Sequence, residues 1–427
     1  MRAIPFERLK ETLYHEKLPN GLNVYVLPKP GFQKTYATLA TKYGSVDNRF
    51  RAEGKPEMRV PDGIAHFLEH KMFEEPNRDI FATFAAQGAS ANAFTSFDRT
   101  VYLFSATERI DENLRTLLDF VQNPYFTDEN VEKEKGIIGQ EINMYRDNPD
   151  WRSYFGLIEA LYRHHPVRSD IAGTIESIAQ ITKETLYACY ETFYHPSNMS
   201  LFVVGGVQPE RVLELVRENQ AQKTFPPQGR INRYFPEEPD EVNEPKKVMK
   251  LPVSLPKCLI GFKESRPGVQ GTPLMKRELT TKLALDAVLG PSSALYQQLY
   301  DENLISDQFG YEYNCTPDYA FSVIGGETKE PQRLVDSLGE AFKRILAEGI
   351  DPVSFERSKR KKIGAFLRMM NSPESIAHEF TKYEFREAQL FDALNVYESI
   401  TLDDANERLR EHVNFARMAV SVVEAPA

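Results

Sequence analysis

His66-Phe67-Leu68-Glu69-His70 is the stretch on which the reading of this chain turns. Residues three and four apart share one face of a helix, so His66, Glu69 and His70 form a single polar cluster. Two neutral imidazoles at that spacing can hold one metal ion, and the carboxylate beside them can take a proton from water that the metal activates. The pattern H-x-x-E-H is H-E-x-x-H reversed. Its flanks fit a packed helix: Asp62 or Gly63 offers the N-cap, and Ile64, Phe67, Leu68 and Phe73 supply an apolar side. Histidines and a carboxylate next to such a side are costly to bury unless a cation pairs with them. The competing reading is a solvated face carrying the same residues by chance. It is weakened by there being only eight histidines in 427 residues.

A zinc site of this kind needs a third protein ligand and one open position. The segment from Asn130 to Ile142 offers it. Glu134, Ile138 and Glu141 stand at i, i+4 and i+7 on one helical stripe, and Val131, Ile138, Ile142 and Tyr145 make the adjoining stripe apolar. Glu141 is the expected third ligand, with Glu134 orienting a ligand histidine or tuning the charge behind it. An ordinary solvated Glu/Lys face describes Glu132 and Lys133 well and Glu141 poorly.

These residues resemble the M16 metallopeptidases, the family of pitrilysin, insulin-degrading enzyme, the mitochondrial processing peptidase and their short bacterial relatives. The family pairs H-x-x-E-H with a distal helical glutamate and another glutamate seven residues before it. Here Glu141 follows His70 by 71 positions and Glu134 precedes Glu141 by seven. The resemblance implies one zinc ion per chain held by His66, His70 and Glu141, with Glu69 as general base and Glu134 as accessory acid. Gly88 to Ser96 is similar to the family's G-x-x-x-N-A-[YF]-T strand, which pairs with peptide substrates in relatives; it implies substrate contacts at Asn92, Ala93 and Phe94. Tyr194 to Met199 is a third match. The likeness runs over nearly the whole chain and is greatest to YmfH-type bacterial members. It implies a zinc-dependent endopeptidase acting on peptides or unfolded segments. The implied fold is α+β, of the M16/LuxS-like metallohydrolase architecture: two homologous domains, each a mostly antiparallel sheet flanked by helices.

Length and composition agree with that outline. A chain of 427 residues exceeds one ordinary core, and 41% apolar and 11% aromatic residues suffice for two. A net charge of −10 disfavours nucleic acid and anionic membrane surfaces as partners. Cys189, Cys258 and Cys315 are scattered and odd in number, so no disulfide framework or cysteine metal site is expected. Met1 to Lys17 mixes charges of both signs without an apolar core, and no run reaches the length of a membrane span. The expectation is a cytoplasmic bacterial protein.

The two halves follow one order. Proline and acidic residues between Ala221 and Lys247 suggest a linker at 226–246, with a catalytic domain at 1–225 and a homologous one without metal at 247–427. Strand-like Leu22 to Leu27 and Ala37 to Thr41 match Val248 to Leu251 and Cys258 to Phe262; Glu129 to Tyr145 matches Phe355 to Met370; Leu201 to Val204 matches Met418 to Val423. Where the motif helix should recur, Leu279 to Leu289 has no histidine. The run Glu356 to Lys362 is basic where its counterpart is acidic, and reads as a solvated face.

Single-chain and homodimeric relatives carry an Arg and a Tyr in this second half, near S-S-R-L-[FY]. This chain has Ala294 at the Arg position and Asp307 near the Tyr position, with Tyr311 and Tyr313 out of step. The departure implies a paralogous M16 subunit that supplies the Arg/Tyr pair in a heterodimer, a homodimer being the alternative. A non-catalytic metal-binding assembly subunit is the rival function; it has no need of Glu69.

Overall fold

Strands that alternate in burial, and others buried along their whole length, build two sheets of matching topology in the computed structural model, which describes residues 1–76, 78–264 and 267–426. The first sheet has seven strands in the order Arg2–Phe6, Glu11–Lys17, Asn23–Pro28, Met199–Gly205, Thr35–Thr41, Thr100–Ala106, Ala89–Thr95. All neighbours run antiparallel except Asn23–Pro28 and Met199–Gly205, which are parallel. The second has five: Lys246–Lys250, Met418–Glu424, Lys257–Glu264, Ala320–Glu327, Gly310–Cys315. Again the pair formed by the early strand and the last one is parallel and the rest antiparallel. The last five strands of the first order therefore recur, strand for strand, in the second. The fold is α+β, two sheets flanked by helices, as the sequence led us to expect.

Thr35–Thr41 and Met199–Gly205 are buried at every position, so both faces of the first sheet are covered. Ile110–Val121 packs on Thr35–Thr41 and Thr100–Ala106, and Pro209–Ala221 packs on Asn23–Pro28. In the second unit, Gly271–Leu289 lies against Gly310–Cys315 and Leu402–His412.

Compactness divides the chain into discontinuous units. One comprises 1–142, 169–234 and 369–385; the other 143–168, 235–368 and 386–427. Helix Pro149–Leu161, from the first half of the sequence, thus packs on the second sheet, and Pro373–Phe385, from the second half, packs on the first. Close packing explains each docking. A Cβ on Gly156 would stand 2.4 Å from Met249 Cε and 2.9 Å from Ser421 Oγ, so the glycine lets those side chains pack directly on the helix backbone. Phe380 stacks on Phe202 at 4.2 Å and meets Tyr25 edge-on at 4.9 Å.

The proline-rich stretch is not irregular throughout. Ile231–Arg233, lying between its prolines, pairs with Arg49–Ala52 in a small three-stranded sheet completed by Met58–Arg59. Nor is the basic run simply solvated. Arg357 donates to Ser292 O, Lys359 to the carbonyls of Glu398 and Ile400, and Lys361 and Lys362 pair with buried Asp286.

Candidate metal centre

The H-x-x-E-H residues lie on helix Ile64–Lys71, whose N-cap is Gly63. Gly63 has φ +89, and a Cβ there would come within 2.5 Å of Ala172 O, so this position requires glycine twice over. Asp62, the other candidate cap, instead accepts from Asn48 Nδ2 and Ser169 Oγ, both at 2.8 Å, and ties the helix start to the strand region and to a distant loop. Ile64, Phe67 and Leu68 are buried as their spacing suggested; Phe73 is half-buried and stacks on Phe81 at 4.4 Å. The helix rests on Thr100–Ala106, Ala89–Thr95 and helix Lys183–Phe193.

Helix Asp128–Arg146 brings the distal carboxylates to it. Its buried residues include Val131, Ile138 and Ile142, so Glu134 and Glu141 are carried on the packed side. His66 Nε2 lies 3.7 Å from Glu141 Oε1, and His70 Nε2 lies 3.6 Å from Glu141 Oε2. His70 Nδ1 is 3.1 Å from Glu134 Oε1. One ligand atom from each of His66, His70 and Glu141 falls within 4.8 Å of the other two, the one such cluster among the described residues.

This donor set fits a tetrahedral divalent ion. Bonds of about 2.0–2.2 Å from nitrogen and oxygen imply donor separations of about 3.3–3.6 Å, near the two His–Glu141 distances of 3.7 and 3.6 Å. The charges also ask for one. Glu69, Glu134 and Glu141 converge on a site whose ammonium is that of Lys71, leaving negative charge in excess. Burial, reinforced by the neighbouring His70, holds the His66 imidazole down to about 3, so it stays neutral with a free lone pair. Burial would lower His70 too, but the Glu134 hydrogen bond and the charges of Glu69, Glu134 and Glu141 raise it. Burial likewise opposes Glu134, and its His70 and Lys71 partners win, holding the carboxyl below its usual range.

Glu69 is only 8% exposed, and burial pushes its carboxyl up against the opposing hydrogen bond from Thr95. Thr95 Oγ1 donates to Glu69 Oε2 at 2.7 Å. Thr95 ends Ala89–Thr95, the edge strand of the first sheet, which pairs on one side with Thr100–Ala106 and on the other with no strand among the described residues. Side chains alternate along a strand, so Ala93 shares the Thr95 face while Asn92 and Phe94 point away. Phe94 meets His378 at 5.2 Å and Arg99 at 5.9 Å; Asn92 is exposed, its Oδ1 accepting from Ala93 N at 2.9 Å. What the three share with the cluster is the open strand edge, which Thr95 joins to Glu69.

Thr95 and Lys71 escaped the sequence reading. Lys71 is wholly buried, pairing with Glu74 and lying 3.5 Å from Glu134 Oε2. A lysine in the last turn of a helix looks like dipole complementation on the surface, and only tertiary burial reveals otherwise. The third motif proves to be scaffolding. His195 bridges Ser197 Oγ and Pro226 O, while Asn198 Nδ2 donates to Phe193 O at 2.8 Å.

In the second unit, Ala294 is exposed at the start of helix Ala294–Asp301, and Asp307 is exposed. The Tyr311 hydroxyl is bound to Asp286, and the Tyr313 hydroxyl to Glu264 at 3.0 Å.

A family model described as Insulinase (Peptidase family M16) matches residues 57–175, and one described as Peptidase M16 inactive domain matches 180–362. The uncharacterized zinc protease YmfH of Bacillus subtilis is 53% identical over 424 residues, 99% of each chain. The chain belongs to the M16 peptidase family. A crystal structure from Alicyclobacillus acidocaldarius, described as M16-like, superposes with a TM-score of 0.96 at 43% identity, covering 99% of this chain and 100% of that one. A protease from Helicobacter pylori, at 20% identity, covers 97% and 99% with a TM-score of 0.82 and speaks for the fold alone. No helix among the described residues is long and apolar enough to cross a membrane.

Proposed function

We propose that this chain is a zinc-dependent endopeptidase that cleaves peptides or unfolded segments. The observation that carries the reading is the convergence of His66, His70 and Glu141, with Glu69 on the same helical turn. His66, His70 and Glu141 would hold one zinc ion, which when bound supplies a Lewis acid at which water ionises near neutral pH. Glu69 accepts the proton released from the attacking water and delivers it to the leaving amine. Its carboxylate is aimed by Thr95. Glu134 accepts a hydrogen bond from Nδ1–H of His70 and so keeps Nε2 turned toward Glu141. An extended peptide adds to the open edge of Ala89–Thr95 by main-chain hydrogen bonds along Asn92, Ala93 and Phe94, which selects flexible chains over any one sequence.

The competent form is a heterodimer with a paralogous subunit that brings an Arg/Tyr pair. Support comes from Ala294 standing where an arginine is expected, and from the prior engagement of Tyr311 and Tyr313. A bacterial cytoplasmic setting belongs to the same proposal, and three buried unpaired cysteines suit its reducing conditions.

Cleavage of a quenched fluorescent peptide library by zinc-loaded protein, with Glu69→Gln as control, tests the reading. Turnover that disappears in the control, while zinc remains bound, is the expected result. Equal turnover in Glu69→Gln would remove Glu69 from the mechanism. Zinc bound at one per chain without turnover directs the next assay to a mixture with the paralogous subunit.

A further inference from the structure

We infer that Lys71 is a positioning residue of the metal centre, acting through Glu134; the inference rests on the zinc-site reading above. Three observations on unlike groups meet here. Lys71 follows the ligand His70 directly, yet its side chain is wholly buried. Its ammonium lies between two carboxylates, Glu74 and Glu134. Glu134 in turn divides its oxygens, Oε1 standing 3.1 Å from His70 Nδ1 and Oε2 standing 3.5 Å from Lys71 Nζ.

A fully buried ammonium is expensive unless it is paired, and so is a second carboxylate behind a ligand histidine. Each offsets the other. Lys71 anchors the rear oxygen of Glu134 and leaves the front oxygen in line with His70 Nδ1. It also places a compensating charge behind Glu134, so the orientation that Glu134 gives His70 is held. The shorter contact, to Glu74, suggests a rival role in which Lys71 merely closes the end of its helix on Glu74. The two roles differ in what happens at the metal.

The test is zinc affinity, measured with zinc alone by competition against a chromophoric chelator, beside the visible spectrum of the cobalt-loaded protein. Outer-shell partners of ligand histidines are generally worth about 10–100-fold in metal affinity. Lys71→Met should weaken zinc binding by about tenfold or more and alter the cobalt bands. Glu134→Gln should weaken it as well. In the double variant Lys71→Met/Glu134→Gln, the loss should be no greater than in Glu134→Gln alone, because Lys71 has no further route to the site. Losses that multiply in the double variant, or wild-type affinity in Lys71→Met, would overturn the inference.

Since Lys71→Met strands Glu74 and can fail to fold, Lys71→Met/Glu74→Gln removes the ammonium with its nearer partner. Zinc affinity is still expected to fall about tenfold; unchanged affinity would assign Lys71 to Glu74. Failure of the underlying reading looks different, because the unaltered chain would then bind no stoichiometric zinc. Zinc binding without peptidase activity leaves the experiment fully interpretable.

Discussion

Thr95 Oγ1 donates a 2.7 Å hydrogen bond to Glu69 Oε2, joining the last residue of the open edge strand to the carboxylate of the metal-motif helix. Thr95 Oγ1 also lies 3.3 Å from Thr100 Oγ1, so its rotamer is held from the neighbouring strand. Strand edge and Glu69 carboxylate are thereby set in one geometry. A hydrogen bond to a charged group is worth about 1.5–3 kcal/mol, or about tenfold to a hundredfold in rate if it is needed in the transition state. Thr95→Val, nearly isosteric and well suited to a strand, should lower kcat by that factor with zinc content unchanged. Thr95→Ser should retain most of the rate. Steady-state kinetics on one fluorescent peptide decide it, and an unimpaired Thr95→Val would show that Glu69 needs no such anchor.

Gly63 sets the position of both histidines. An alanine there must adopt φ +89, at a cost of about 1–2 kcal/mol, and its Cβ would press on a backbone carbonyl 2.5 Å away that cannot simply rotate aside. Gly63→Ala should therefore destabilise the protein by about 2–4 kcal/mol and, where it folds, loosen zinc because the helix start must move. Urea denaturation and zinc titration give the two numbers. A stable variant with full zinc affinity would mean that the helix position is fixed elsewhere.

The exchanged helix Pro373–Phe385 provides a third expectation. Phe380 is 2% exposed and stacks on Phe202 of the first sheet. Truncation to alanine should cost about 3–5 kcal/mol, although the residue lies more than two hundred positions beyond the metal motif. Residues 369–385 belong to the unit that contains His66 and Glu141, so zinc binding should lose thermal tolerance in parallel. Differential scanning calorimetry with and without zinc checks this; a melting profile in which Phe380→Ala leaves the zinc-shifted transition untouched would contradict it.

That exchange marks where sequence reading stops. Strands showed themselves through apolar runs, and helix Asp128–Arg146 through a stripe holding Val131, Ile138 and Ile142, because burial and periodicity leave a trace in each segment. That His66, Glu69 and His70 share one helix face was equally legible, since i, i+3 and i+4 spacing is a local geometry. Which sheet a helix docks on is not local. With two sheets of the same topology, Phe155 and Phe380 are apolar anchors of the same kind, and nothing in either segment names its target. Thr95 and Lys71 were hidden for a related reason: their roles arise from contacts with Glu69 and Glu134, which lie 26 and 63 positions away. The basic run misled because Asp286, its buried counter-charge, sits on another helix altogether.

Glu384, on the same exchanged helix, should make stability depend on pH. Burial pushes its carboxyl from the ordinary 4.5 to about 7, the charge of Lys42 and the Tyr25 hydroxyl pulling the other way, and Oε2 is buried without a hydrogen-bond partner. A carboxyl whose folded value stands above its unfolded one binds its proton more tightly in the folded state. Its favourable contribution is complete below about pH 4.5, declines as the unfolded chain ionises, and is gone above about pH 7. The shift corresponds to about 3 kcal/mol as an upper bound. Glu384→Gln keeps the shape and the hydrogen-bonding capacity toward Tyr25 but cannot ionise. Relative to the unaltered protein it should be nearly neutral at pH 5 and more stable at pH 8, by about 1–3 kcal/mol. Paired urea denaturation curves at the two values remove the contribution of every other titrating group. An equal difference at pH 5 and pH 8 would show that Glu384 is already ionised in the folded state, with Lys42 as its effective counter-charge.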